Sequence, residues 1–385
     1  MTTRRSEAAP LLALIVGQIC LHACMAGVRV AAPLSALAEG RSAFAVGVLL
    51  ALFAAGPIGF ALQAGRLADR HGYRRPLRLA VGLCVAGGAV ACASQHYLAL
   101  CLAALLTGIG ANAGLITIQR SAGRLAANGT ERMRVFSWLG LAPALANMVG
   151  SISAGLAIDH AGYRAAFGLL MLLPLGALVC ARWVPPGIAG PSAGVGTVRP
   201  PHAAWSLLRL PRLRRLLLVN WLLSASWDLH SFVLPVLGHE RGMSASAIGT
   251  ILGVFAAAVA AVRVVVPLLA HRLREERVLA GAMLWAGAVL AVYPFVHAPA
   301  LMAVCAVLLG LALGTVQPMI MSTLHHITPA DHHGEAIALR SMTINFASTA
   351  MPLVFGAGGA ALGAGVLFWI MGAGVGASSL LARRP

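Results

Sequence analysis

Residues 65–75 read Gly-Arg-Leu-Ala-Asp-Arg-His-Gly-Tyr-Arg-Arg and form a short charged segment between two long apolar stretches. Five of these eleven residues are charged, whereas only 10% of the 385-residue chain is charged and 59% is hydrophobic. A soluble protein carries about 25% charged residues. The composition therefore indicates a membrane protein with short polar loops, and it excludes a soluble enzyme, a disordered chain and a nucleic-acid-binding domain.

Apolar stretches of the length that crosses a bilayer, about 20 residues, recur on both sides of this segment. The pattern predicts twelve transmembrane helices with only short loops between most of them. The predicted spans are about residues 11–34, 43–64, 77–95, 98–119, 134–158, 164–184, 213–237, 245–270, 278–296, 299–324, 334–356 and 361–381.

The arginines predict the orientation of these spans. All 28 basic residues are arginine, and with the N-terminus placed inside, 23 of them fall on the inner side. Three fall on the outer side: Arg41, Arg164 and Arg241. Cytoplasmic loops of membrane proteins collect basic residues in this way, so both termini are expected to be cytoplasmic.

The chain divides into two related halves. Residues 185–212 are rich in proline and glycine and predict a cytoplasmic linker between a bundle at 1–184 and a bundle at 213–385. When the chain is shifted by 202 residues, 15 of the 45 positions between 33 and 77 are identical. The matches include Pro33 with Pro235, Gly40 with Gly242, Ser42 with Ser244, and Arg70 with Arg272. A parallel repeat of this kind is found in one large class of transporters.

Residues 65–75 resemble the signature loop of the major facilitator superfamily, G-x-L-a-D-r-x-G-r-r. The resemblance implies an all-α integral membrane protein with twelve transmembrane helices in two six-helix pseudo-repeat bundles. In that family the loop holds the two halves together in the outward-facing state. The resemblance implies that the corresponding gating residues here are Gly65, Asp69, Arg70, Gly72 and Arg74, with Arg120 and Arg340 as partners for Asp69.

The residue types in this loop suit such a role. Gly65 would allow two helices to approach closely, and Gly72 would allow a tight turn. Arg74 can equally serve only to set the topology. In the second half His271 and Arg274 replace the aspartate and the second glycine, so the loop is expected to act mainly in the first half.

The fifth predicted span, residues 134–158, departs from the family's antiporter pattern. Ser151 stands where that pattern has proline, and Ala154 replaces one glycine. This departure weighs a little against antiport, although many exporters of the family vary at these positions.

Ionisable and polar residues inside the predicted spans are candidates for the substrate and proton-coupling site, since such groups are costly in a bilayer. They are Asp228, His230, Arg263, His22, Arg29 and Asn112. Asp228 and Arg263 can form an ion pair that is functional or purely structural. His230 and His22 can carry a proton or simply pack. The Arg29 side chain can extend to the membrane–water interface or attract an anion. The Asn112 side chain can form hydrogen bonds to a substrate or to a neighbouring helix.

These features predict a secondary active transporter that moves a small organic solute by alternating access, coupled to protons and working in export. Uptake of an organic anion or a sugar by proton symport is the alternative, and a membrane sensor with a transporter-like fold is the alternative without transport. We expect no enzymatic activity, no cofactor and no metal site, although the histidine cluster at 325–333 leaves metal binding open. The expected partners are a small-molecule substrate, protons and the lipid bilayer, with no nucleic acid. The expected state is a monomer in a bacterial inner membrane.

Overall fold

The computed structural model describes residues 3–125, 135–185, 207–269, 275–328 and 333–382, and in these residues the regular structure is helical, with no strand. The helices are α1 (Thr3–Ala38), α2 (Ala43–His71), α3 (Arg74–Ala93), α4 (Tyr97–Leu125), α5 (Ala142–Leu172), α6 (Leu175–Cys180), α7 (Pro211–Glu240), α8 (Ala245–Leu269), α9 (Glu275–Val292), α10 (Pro299–Ile327), α11 (His333–Leu362), α12 (Ala364–Ala377) and α13 (Ser379–Ala382).

Eight described stretches are long and apolar enough to cross a membrane. One of them, Val135–Cys180, has 46 residues, which at about 1.5 Å per residue is enough for two crossings of a core about 30 Å thick. The shorter Ala364–Ala377 is also apolar. Helices α7 and α11 have 30 residues each but are not among the eight. The all-helical membrane class expected from the sequence is confirmed.

Two predicted boundaries differ from the structure. The break predicted between spans 5 and 6, after residue 158 and before 164, is not among them, since α5 is broken at Gly162 with φ 78° and ψ 175°, a conformation that favours glycine. We predicted that span 6 continues to residue 184, but α5 ends at Leu172 and a turn containing Pro174 precedes α6. Proline has no N–H for the helical ladder, so it starts a new helix there. Span 12 was predicted to begin at 361, but α11 runs to Leu362 and Gly363 separates it from α12.

The described residues pack as two compact units. The first lies within residues 1–41, 52–194 and 243–253, and there α1 packs on α5 and α3 on α4. The second lies within residues 42–51, 195–242 and 254–385, and there α7 packs on α11 and α9 on both α10 and α12. The predicted domain boundary in the linker stays a prediction, because residues 186–206 lie outside the described residues.

The 202-residue repeat is visible where α2 and α8 begin. Gly40 and Gly242 both have positive φ, at 75° and 66°. Two residues later, the Ser42 hydroxyl accepts a hydrogen bond from the Ala45 N–H, and the Ser244 hydroxyl accepts one from the Ala247 N–H, at 3.3 and 3.2 Å. The two halves therefore turn and cap these helices in the same way.

The repeat also extends to packing inside the helices. A β-carbon at Gly108 would lie 2.5 Å from the carbonyl oxygen of Phe53, and one at Gly310 would lie 2.5 Å from that of Phe255. Gly310 and Phe255 lie 202 residues after Gly108 and Phe53, respectively. Both contacts require glycine, because no other residue allows a helix to come so close to a neighbouring backbone.

Candidate functional site

The charged segment at residues 65–75 joins α2 to α3 within the first unit. Arg120 on α4 donates from Nε to Oδ1 of Asp69 on the last turns of α2, at 2.6 Å, and its Nη2 donates to the Asp69 backbone carbonyl at 3.4 Å. The Arg120 side chain is 9% exposed and that of Asp69 is 42% exposed. Of the two partners predicted for Asp69, Arg120 makes this contact, and it ties α2 to α4.

The turn itself depends on one glycine. Gly72 has φ 69°, which allows the tight turn between α2 and α3 that the sequence predicts. The next residue, Tyr73, is 1% exposed, and this burial raises the pKa of its phenol. No atom of a neighbouring described helix lies within 4 Å of where a β-carbon of Gly65 would be, and the close helix approach expected at Gly65 stays a prediction. Arg70 and Arg74 are exposed.

Arg340 lies in the second unit, on α11, where its guanidinium donates a hydrogen bond to Oε1 of Gln317 on α10. The side chain is largely buried. The sequence predicts Arg340 as a partner for Asp69. The hydrogen bond that the structure shows is with Gln317, and it links α10 to α11 within the second unit.

A buried carboxylate lies between α7 and α11. Asp228 on α7 is 4% exposed and accepts a hydrogen bond from the Ser348 hydroxyl of α11 at 3.1 Å. These are the two long helices that are not among the eight stretches described above as long and apolar enough to cross a membrane, and they pack directly on each other. The hydrogen bond between Asp228 and Ser348 therefore joins α7 to α11 inside the second unit. The predicted ion pair between Asp228 and Arg263 stays a prediction.

His230, two residues further along α7, faces a different environment. It is 0% exposed, and its ring lies 4.6 Å from that of Phe255 and 5.6 Å from that of Tyr293. The Tyr293 hydroxyl donates to the Met302 carbonyl at 3.3 Å and also lies 3.2 Å from His230 Nε2, within hydrogen-bond distance. The imidazole donates in this contact when its proton is on Nε2. Phe368 in turn stacks on Tyr293, with the ring centroids 4.8 Å apart.

The remaining predicted site residues are distributed over both units. In the first unit, His22 is buried on α1, and Arg29 on the same helix lies over the Phe53 ring at 5.9 Å, a cation–π distance. Asn112 on α4 lines a mainly apolar cavity of about 300 Å³ bounded by α2, α3 and α4. In the second unit, Arg263 is half-buried on α8. The histidine cluster at 325–333 lies partly outside the described residues, and no group of three or more metal-ligating side chains occurs within them.

Sequence reasoning missed two polar contacts that the structure shows. Ser348 gave no signal, because a single serine in an apolar helix is common. Asp159, near the break in α5, was predicted to lie in a loop, yet its carboxylate accepts hydrogen bonds from the first backbone N–H groups of α8. An aspartate at this position can cap a distant helix only if the fold brings the two together, which a linear pattern cannot reveal.

Comparisons with known proteins identify the class to which this fold and loop belong. The chain belongs to the Major Facilitator Superfamily, whose profile matches residues 14–276 and 216–384. The two matches begin 202 residues apart, which is the offset of the internal repeat. No curated protein sequence matches the chain.

Solved structures share the fold at low identity. A POT family transporter in complex with a thioalcohol-conjugated peptide has a TM-score of 0.76 and 14% identity, over 96% of this chain and 94% of that one. The human organic anion transporter MFSD10 has a TM-score of 0.65 and 16% identity, over 98% and 99%. A point mutant of the nucleoside transporter NupG has a TM-score of 0.72 and 14% identity, over 97% and 98%. At these identities the similarity establishes the fold alone.

Proposed function

We propose that this protein is a secondary active transporter that moves a small organic solute by alternating access, is coupled to protons, and works in export. The observation that carries the proposal is the burial of Asp228 between α7 and α11. An aspartate at the centre of a membrane-spanning helix costs about 2.5–3.5 kcal/mol. Ionisable groups in such positions commonly mark substrate or ion pathways.

The chemistry of this pair suits exchange between a proton and a cation. When ionised, the carboxylate accepts from Ser348 and attracts a positively charged solute; when protonated, it has no charge to offer. A proton and a cationic solute therefore compete for one group. Competition of this kind couples the inward movement of a proton to the outward movement of the solute.

Asp228 is a better proton carrier than His230. The two residues are separated by two positions, about 200° around the helix, and thus face different neighbours. The His230 ring is buried against the rings of Phe255 and Tyr293, and its Nε2 lies within hydrogen-bond distance of the Tyr293 hydroxyl. We therefore assign His230 to packing and Asp228 to coupling.

Uptake of a small organic anion is the second candidate. The observation that favours it is Arg263, a half-buried guanidinium on the otherwise apolar α8. Arginine binds carboxylate and phosphate groups through two parallel hydrogen bonds, so it would provide the anion site. In this alternative Asp228 would hold the arginine in place instead of binding substrate.

The test is proton-driven flux in proteoliposomes that contain the full chain. The probes are tetraphenylphosphonium and ethidium as cations and benzoate as an anion, each measured with and without a pH gradient. We expect cation flux that depends on the gradient and is lost in Asp228→Asn. Glu240→Gln is the matched control, because Glu240 is an exposed acid at the end of the same helix.

Each outcome decides between the candidates. Cation flux in Asp228→Asn that equals the wild type would overturn the role of Asp228. Gradient-dependent benzoate flux that survives Asp228→Asn and is lost in Arg263→Gln would replace export with anion uptake. Absence of any gradient-dependent flux for all three probes in the wild type would contradict proton coupling.

A further inference from the structure

A pocket of about 310 Å³ lies beside the start of α3, in a different unit from Asp228 and its partner helix. Arg74 and Arg78 from α3 line one side, and Arg182 lines the other, in the turn that follows α6. Leu178 and Ala181 complete the lining. All five lining residues belong to the first unit.

The charge in this pocket is uncompensated within the described residues. None of the three pocket arginines forms an ion pair with a described carboxylate, whereas Arg120 pairs with Asp69 and Arg41 with Glu39. Arg74 and Arg78 are four residues apart on one helix, a spacing at which like charges repel. The pocket also adjoins the N-terminus of α3, whose free N–H groups add partial positive charge.

We propose that this pocket binds a phosphate group, presented either by the headgroup of an anionic phospholipid or by free phosphate. Three guanidinium groups on two sides of a pocket can each give paired hydrogen bonds to phosphate oxygens. Binding an anion there removes the repulsion between the arginines. At about 30 Å³ per water, the pocket has space for roughly ten waters, which is enough for a phosphate and an attached glycerol.

The position of the pocket favours the lipid as the source. The predicted topology places all three arginines at the cytoplasmic surface, where anionic headgroups collect and where basic pockets between helices bind them. Trp183, next to Arg182, is 58% exposed, as is typical of tryptophan at the level of the headgroups. The leucine and alanine side chains of the lining provide an apolar wall for the glycerol end of the lipid.

The test is titration of the purified full chain with phosphatidylglycerol, phosphatidylcholine and sodium phosphate. Bound lipid is counted by native mass spectrometry, and saturation is followed by the apparent melting temperature, which a bound ligand raises by mass action. The variant is Arg78→Gln with Arg182→Gln, which leaves the signature loop intact. The matched control is Arg212→Gln with Arg214→Gln, which removes two exposed arginines predicted to lie on the same membrane face.

We expect the wild type and the control to bind phosphatidylglycerol saturably and more tightly than phosphatidylcholine. In the pocket variant the apparent dissociation constant should rise about tenfold or more, since two charge-assisted contacts are removed. Saturable stabilisation by millimolar sodium phosphate that competes with the lipid would identify free phosphate as a second source. Stabilisation by the lipid alone would identify the headgroup.

Two results would overturn the proposal: no saturable anion binding by the wild type, or equal affinity in the pocket variant and the control. If the glutamine pair does not fold, Arg78→Lys with Arg182→Lys keeps the charges. The lysine pair should still bind more weakly than the wild type, because an ammonium cannot make the paired contact of a guanidinium. Unchanged affinity in the lysine pair would contradict guanidinium–phosphate recognition.

Discussion

The carboxylate of Asp159 accepts a hydrogen bond from the backbone N–H of Ser246 at 2.8 Å, and its second oxygen accepts one from Ala245 at 3.0 Å. An acid near the break in α5 therefore caps the first turn of α8. The contact satisfies two N–H groups that have no partner within their own helix, and the negative charge interacts favourably with the helix dipole.

Asp159→Ala should loosen the start of α8. We expect the helix to lose about 1 kcal/mol of local stability, in the usual range for a capping side chain. Hydrogen–deuterium exchange in detergent would show faster exchange in residues 245–250. Residues 43–48 at the start of α2 are the internal control, because Ser42 caps them and their exchange should not change. Unaltered exchange at 245–250 would show that the cap contributes nothing.

Replacing Asp69 and replacing Arg120 should lower the stability of the protein by different amounts, although the two residues form one ion pair. Asp69→Asn takes the carboxylate away from a largely buried guanidinium and should cost about 1–3 kcal/mol of stability. Arg120→Gln leaves an aspartate that water can reach, so the cost should stay below about 1 kcal/mol. Denaturation of both single variants and the double variant measures the difference. Equal costs, or a larger cost for Arg120→Gln, would contradict the burial argument.

Tyr293→Phe should affect stability without affecting proton coupling. The change removes the hydroxyl that is hydrogen-bonded to His230 Nε2, and a buried polar group left unsatisfied costs about 1–3 kcal/mol. The apparent melting temperature should fall. The pH profile of transport in proteoliposomes should keep its shape, because Asp228 is the proposed proton carrier. A shifted pH profile would show that His230 takes part in proton coupling.

Gly108→Ala and Gly310→Ala should destabilise the protein by similar amounts. In each case the new methyl group would meet a phenylalanine carbonyl oxygen at 2.5 Å, and such overpacking costs about 1–3 kcal/mol. Gly82→Ala and Gly281→Ala are matched helical controls, since no described atom lies within 4 Å of their added β-carbons. These controls should be neutral or slightly stabilising. A difference between the first two variants larger than that between the two controls would mean that the halves pack differently.

The sequence was sufficient to predict the class of fold, because the lengths of the apolar stretches and the positions of the arginines can be read directly along the chain. It also found the repeat, whose glycines and serines recur in the same structural roles. Helix ends were less predictable: the breaks at Pro174 and Gly363 depend on a single residue each, and an apolar stretch continues through both of them.

For the candidate site, the sequence identified charged residues but not their surroundings. Asp228 and His230 look alike in a sequence, as ionisable residues two positions apart in one span. Their difference arises from what lies against them, a serine from α11 beside Asp228 and the rings of Phe255 and Tyr293 beside His230. Contacts between residues far apart in the chain, such as Ser348 with Asp228, leave no periodic signal.

The paired contacts of Gly108 with Phe53 and of Gly310 with Phe255 also bear on the history of the molecule. Packing present in both halves is most simply inherited from a single six-helix ancestor whose gene was duplicated and joined. The buried carboxylate does not follow this inheritance, since the counterpart of Asp228 in the first half is Ala26. Helix packing was therefore retained in duplicate, while the ionisable group belongs to one copy alone, and the two copies have been free to evolve separate chemistry on a common scaffold.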